Sequence, residues 1–235
     1  AAYQQERDLA RALPSKELRE ARQRELAREL KQPALAHLRD GAPAALESPT
    51  FFQAQVALME GRWREAQGLA RQAFSGTAWL FDAQRLEGEA LLEEARELSD
   101  PAQALERLDR AEEALAACRR TAPSDPFTAL EEVRVLAERA SRELASGRKA
   151  EPTLHRCREA AARVRCLSPR NGEAPARLAR ALGDWTTLRP PRDTATRSAL
   201  GEALALSAEA VSLEPENPSV LIIRATLLLI VGRHR

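Results

Sequence analysis

Residues 212–225 read "SLEPENPSVLIIRA". This stretch holds the end of one helix, a proline stop and the start of a second, apolar helix. Pro215 halts the first. Asn217 has the side chain of an N-cap, and Pro218 takes the first turn of the next helix, where its missing N–H costs nothing. Such a joint can stand alone or belong to a series, and the two cases imply different folds.

The rest of the chain decides for a series. Pro123, Pro169 and Pro215 stand 46 residues apart, within "RRTAPSDP", "RCLSPRNG" and "VSLEPENP". Both flanking helices keep the same step. Five residues before each proline stand Cys118, Val164 and Ala210; twelve before stand Ala111, Cys157 and Ala203. Ten after stand Val133, Ala179 and Ala225; thirteen after stand Leu136, Leu182 and Leu228. Small and apolar residues recurring at one period on both sides mark a repeated helix pair.

Composition agrees. The 235 residues are 44% hydrophobic and 30% charged but only 4% aromatic, with Ala, Leu, Arg and Glu dominant. These residues lose little rotamer freedom in a helix, whereas alternating β-branched runs are nearly absent, so a sheet is disfavoured. Net charge is +1, from 36 basic and 35 acidic residues. No global field gathers nucleic acid or anionic lipid. Three cysteines, Cys118, Cys157 and Cys166, make no disulfide framework. The run "VLIIRATLLLIVG" is too short to span a bilayer, which takes about 20 residues, and Arg224 interrupts it, so no membrane insertion is expected.

The pattern predicts an all-α chain of antiparallel hairpins. Residues 1–46 give N-terminal helices that cap the stack, with Pro14 breaking the first and Ser15 capping the next; 41–49 is a loop. Repeats follow at 47–80, 81–122, 123–168 and 169–214, with a truncated unit at 215–235. In the first repeat, Ser48-Pro49 opens a helix with Phe51, Ala54 and Leu58 on one face. Gly61 closes it in a left-handed turn, and Ala66, Ala70 and Ala73 line the answering helix so that the two backbones approach closely. The chain begins without methionine and ends abruptly in "TLLLIVGRHR", which reads as a piece cut from a longer protein. In the intact protein a following B helix is expected to cover the apolar face of this A helix; in the piece at hand the face is exposed, and pairing of two chains through it would be an artefact of the cut.

These positions resemble the tetratricopeptide repeat, with a small residue midway along helix A, alanines on helix B and proline at the joint. "LMEGRWREAQGLARQA" and the region around Pro215 match best. The usual unit is about 34 residues. Residues 47–80 fit that length, and the later 46-residue units carry extra length between A and B, in "ELSDPAQ", "ASGRKAEPT" and "TLRPPRDTA". The resemblance implies an α-solenoid. A narrower resemblance, in "PALAHLRDG", "SPTFFQAQVALMEGRWREAQGLARQAF" and "AWLFDAQRLEGEALLEEARE", is to the C-terminal repeat region of bacterial eukaryotic-like serine/threonine kinases. It implies a regulatory or scaffold module in bacterial signalling that is itself no enzyme, because the glycine-rich loop, "HRD" and "DFG" of a kinase are all absent. It also implies a cytoplasmic location, or a periplasmic one where a membrane span precedes the repeats.

No cofactor or metal is expected. His155, Cys157 and Cys166 fall short of the four ligands of a structural zinc site and turn to different sides of a helix. Cys118 and Cys157 sit at small-residue repeat positions, where a free thiol packs as a small hydrophobe. Gly88 reads as a close helix contact, and Trp63, Trp79 and Trp185 as packing residues. The functional expectation falls on the A helices, which line the inside of such a stack. Equivalent residues form rows there: Arg134 with Arg180, Glu131 with Arg177, and Glu138 with Asp184. A basic row beside an acidic one suits a protein or peptide partner of mixed charge. The competing expectation is a small-molecule sensor, which requires a deep enclosed apolar pocket.

Overall fold

The computed structural model describes residues 15–41, 48–189 and 193–233. Pro14 and much of the expected loop before Pro49 lie outside them. Among the described residues every regular element is helical. The chain divides into two compact units, Ala1–Leu86 and Glu87–Arg235.

In the first unit, α1 (Lys16–Leu26) passes through a π-helical turn (Ala27–Lys31) into α2 (Gln32–Gly41). The Ser15 hydroxyl accepts the Leu18 N–H at 3.1 Å, as an N-cap should. The next pair is α3 (Pro49–Glu60) and α4 (Trp63–Gly76). The Ser48 hydroxyl accepts the Phe51 N–H at 3.2 Å. Gly61 ends α3 at φ 83°, where a side chain would be strained. The two helices pack through Ala54, Ala57, Ala66 and Ala70, none more than 1% exposed.

The helix α5 (Phe81–Glu97) spans the division in sequence. The second unit continues with α6 (Pro101–Thr121), α7 (Pro126–Ala145), α8 (Glu151–Leu167), α9 (Glu173–Thr187), α10 (Thr194–Leu213) and α11 (Pro218–Arg233). The helix α7 packs on α8, and α9 on α10; α7, α9 and α11 touch in turn as the A helices. The fold is an all-α helical-repeat solenoid built of hairpins.

The three 46-spaced joints are alike in their hydrogen bonds. The N–H groups of Ala122, Ser168 and Glu214 donate to the carbonyls of Cys118, Val164 and Ala210, at 2.9, 2.7 and 2.9 Å. Three residues on, Asp125, Asn171 and Asn217 donate back to the carbonyls of Ala122, Ser168 and Glu214. Their side chains then take amide protons of the following helix: Thr128 at 2.7 Å, Ala174 at 3.0 Å and Ser219 at 3.0 Å. Each joint therefore gives a partner to part of the free carbonyls at one helix end and to a free N–H at the start of the next.

Small residues set how closely the helices approach. A Cβ on Gly88 would lie 2.9 Å from two carbons of Leu115 on α6, and one on Gly183 would lie 2.4 Å from Leu227 on α11. The reading of Gly88 as a packing residue is borne out. The reading of the tryptophans holds for Trp63 and Trp185, 7% and 6% exposed, but Trp79 is 63% exposed in the turn before α5. Its neighbour Leu80, in the same turn, is the one that enters the core, at 4% exposure.

Candidate functional site

On the A-helix face, charged side chains of α7 and α9 form a seam. Arg134 leaves α7 and forks onto Glu173 at the start of α9, with Nε and Nη2 each 2.8 Å from a carboxylate oxygen. Its Nη1 also donates to Glu131, one turn back, at 2.5 Å. Such a bidentate pair fixes both side chains in one geometry. Glu131 is 5% exposed, and its Oε2 has no hydrogen-bond partner. Arg177 reaches Glu173 from the other side at 3.2 Å.

Further along α7, Glu138 accepts Arg142 Nε at 2.8 Å and pairs with Arg96 at 3.5 Å. Arg142 also donates to the carbonyls of Leu98 and Arg96, at 2.9 and 3.1 Å, and so ties α7 to the end of α5. The Ser141 hydroxyl donates to Asp184 on α9 at 3.2 Å.

The carboxyls of α9 respond in opposite directions. Burial pushes Glu173 up, but Arg134 and then Arg177 outweigh it and hold the group below its ordinary value. Burial also pushes Asp184 up, and neither Arg180 nor Ser141 cancels it, while the Glu138 charge adds to the rise.

The six residues singled out from the sequence therefore fare differently. Glu131 is buried as a brace for Arg134; Arg134, Glu138, Arg177 and Asp184 are half-buried; Arg180 is exposed. Among the α9 equivalents, Arg177 is paired with Glu173 and Asp184 accepts Ser141, while Arg180 is exposed where its α7 counterpart Arg134 is closed. Glu173 closes Arg134; the residue 46 further on, which faces Arg180 by the same rule, is Ser219. Arg142 closes Glu138; its counterpart beside Asp184 is Leu188. Sequence reasoning missed Glu173, Ser141 and Arg142. The 46-residue rows could not flag Glu173, because its equivalent is Phe127, an exposed aromatic.

The other candidates resolve as packing. Cys118 and Cys157 are fully buried, and the Cys118 sulfur lies 3.0 Å from the Thr128 hydroxyl. Burial pushes the Cys157 thiol up to about 12, against a smaller opposing pull from Arg158. A thiol so held is no nucleophile near neutral pH. His155 points out, its side chain 72% exposed. Among the described residues no group of three or more His, Cys, Asp or Glu could hold a metal ion, and no helix is long and apolar enough to cross a membrane.

A slot lined by α8, α9 and α10 has Ala161, Leu178 and Leu206 on its walls and holds about 170 Å³. Two inter-helix ion pairs rim it, Arg158 with Glu202 at 2.7 Å and Arg165 with Glu209 at 2.6 Å. Ligand pockets run to roughly 300–1,000 Å³. The slot does not reach the volume that a sensor of metabolites needs.

The hairpin stack defines a tetratricopeptide-type fold, and a solved structure shares it. A solved thermophilic tetratricopeptide-repeat protein of Thermus thermophilus superposes with a TM-score of 0.63 over 97% of this chain and 99% of that one, at 16% identity. No family model matches the chain, and no curated protein matches it.

Proposed function

We propose that this chain is a non-catalytic module that binds a protein or peptide partner along the A-helix face of α7 and α9. One observation carries the reading. Arg180 stands exposed at the repeat position where α7 closes Arg134 onto Glu173, and half-buried Asp184, bonded to Ser141, has Leu188 where α7 has the ion-pairing Arg142. The closed part holds the helices in register, and α9 offers the exposed Arg180 cation, with the half-buried Asp184 carboxylate one turn on keeping acceptor capacity beside Ser141, to a segment of mixed charge. An acidic side chain would meet Arg180, and an N–H or basic group would meet Asp184. Six residues make up the proposed face: Glu131, Arg134, Glu138, Arg177, Arg180 and Asp184. The first two act as bracing.

The wider setting we propose is regulation of a bacterial serine/threonine kinase, by recruiting a substrate or reporting a bound partner. Its support is the sequence resemblance in residues 33–125. Reading the hundred or so residues that precede this stretch in the full-length gene tests that setting, since a kinase domain there carries "HRD" and "DFG".

The binding reading is tested by capture on immobilised chain, comparing the native protein with Arg180→Glu/Asp184→Lys. A protein retained by the native face and released by the charge reversal supports it. Equal retention by both would place binding elsewhere. A thermal-shift screen addresses the sensor alternative, for which a metabolite must raise the midpoint in a concentration-dependent way.

A further inference from the structure

The slot lined by α8, α9 and α10 is small for a metabolite and well sized for a single side chain. Leu178 of α9 is its buried floor, Ala161 of α8 and Leu206 of α10 are half-buried on its walls, and Ala162 is exposed at its lip. All three helices have a described helix on either side of them in sequence. The volume is about 170 Å³. An apolar cavity of about 150 Å³ accepts one benzene, so the slot takes one leucine or phenylalanine side chain.

The preceding crevice, between α6 and α8, shows what the slot lacks. At the place of Leu178, 46 residues earlier, stands Glu132 on α7. Its buried carboxylate accepts Arg119 of α6 at 2.9 Å and also Arg163 of α8, and so ties the two B helices together. At the place of Ala161 stands Leu115, fully buried. In the later repeat the carboxylate has become Leu178 and the leucine has become alanine. Leu178 can accept no arginine, and α8 and α10 are joined at the rim instead, by Arg158 with Glu202 and Arg165 with Glu209. Apolar space is left beneath two charged rungs.

The rungs set the chemistry of an occupant. Both residues on the α8 side are arginines and both on the α10 side are glutamates. In each row the two stand seven residues apart, roughly 10 Å along the helix axis. A helix laid along the crevice presents its own side chains at the same step, as flanking charges do between paired helices. The rungs keep capacity for it. Arg165 gives Glu209 its Nη2 alone, and its side chain is 59% exposed, whereas a guanidinium carries five N–H donors. One apolar anchor within a charged rim is how an amphipathic helix seats in a groove.

We propose that the α8/α10 slot anchors an amphipathic helix of a partner protein. The helix inserts one leucine-sized side chain between the rungs, turns acidic residues to Arg158 and Arg165, and turns basic residues to Glu202 and Glu209. This surface is additional to the A-helix face that carries Arg180.

Fluorescence anisotropy of the 235-residue chain with a labelled, stapled helical peptide tests it. The peptide carries one central leucine, glutamates along one flank and lysines along the other. Saturable binding is expected, and replacing the central leucine with alanine should weaken it by about tenfold or more, the effect of losing an anchor. Exchanging the two charged flanks should weaken it as well. Ala161→Leu gives α8 the residue that α6 carries there, fills the slot and should remove binding with unchanged helical circular dichroism. Ala162→Arg, at the exposed lip, should do the same without touching the core. Arg180→Glu/Asp184→Lys should leave peptide binding intact, which separates this site from the A-helix face. No binding of the leucine peptide, equal binding of the alanine peptide, full binding by Ala161→Leu and Ala162→Arg, or release by the Arg180 and Asp184 reversal would each overturn the proposal.

Discussion

The helices α7 and α9 carry arginine at the same repeat position and use it in opposite ways. Arg134 is forked onto Glu173, while Arg180 is exposed. The reason is the residue each helix meets next: a glutamate heads α9, and Ser219, whose buried hydroxyl has no hydrogen-bond partner, heads α11. A repeated sequence position is thus only a repeated place on a helix. Whether the side chain there braces the stack or faces outward is settled by its neighbour 39 residues on. The same lesson runs from α9 to α11, where Leu182 at 1% exposure becomes Leu228 at 51% because no described helix follows α11.

The largest test of this contrast is on the apolar pair. Leu182→Ala should cost about 3 kcal/mol, the ordinary penalty for a buried leucine left as a cavity. Leu228→Ala, measured by urea unfolding at low protein concentration, should cost under about 0.5 kcal/mol, as for exposed sites. Equal costs would break the comparison.

Next comes the charged pair. Arg134→Ala strands Glu131 and Glu173 and should cost roughly 2 kcal/mol, discounted from the figure for a fully buried pair because Glu173 keeps contact with water and with Arg177. Arg180→Ala should change urea stability by less than about 0.5 kcal/mol, while weakening partner capture.

The acid limb of stability sharpens it further. Glu173 is held below its ordinary value when folded, so its contribution is complete above the unfolded carboxylate value of about 4.3 and is lost as pH falls through the folded one. Asp184 is raised when folded, so folding favours its protonated form, and stability is gained as pH falls through that raised value. Glu173→Gln should therefore flatten the loss on acidification. Asp184→Asn should stabilise the chain at neutral pH, with the difference from native shrinking as pH drops; thermal melts across pH 3 to pH 7 read both. A Glu173→Gln profile parallel to the native one would remove Arg134 as the cause.

The smallest effect comes from transplanting the clamp. Ser219→Glu supplies α11 with the residue that heads α9, and should close Arg180. Stability should rise by up to about 0.5 kcal/mol, the scale of a partly exposed ion pair, and capture of a partner should fall. Unchanged capture would show that Arg180 needs no freedom to bind.

Much of the architecture was legible from local pattern. Ser15, Ser48, Gly61 and Asn217 cap or end helices as their side chains dictate, because capping is decided within four residues. The face composed of Ala66, Ala70 and Ala73 is buried as its spacing foretells. The extra length of the later units went largely into helix, as in the 20 residues of α10. The candidate site was legible only as rows. Its bracing residues Glu173 and Arg142 were not, since their repeat equivalents are Phe127 and Leu188, and a periodic reading keeps only what recurs.

By itself the sequence determined the helical class, the 46-residue step and the joints at Pro123, Pro169 and Pro215, because proline, capping side chains and small-residue spacing act over one or two turns. Only the tertiary structure decided which equivalent side chains are closed and that Asp184 and Glu173 titrate in opposite directions. Those outcomes depend on which helix lies alongside. A neighbour tens of residues away supplies the burial and the counter-charge that no local pattern encodes.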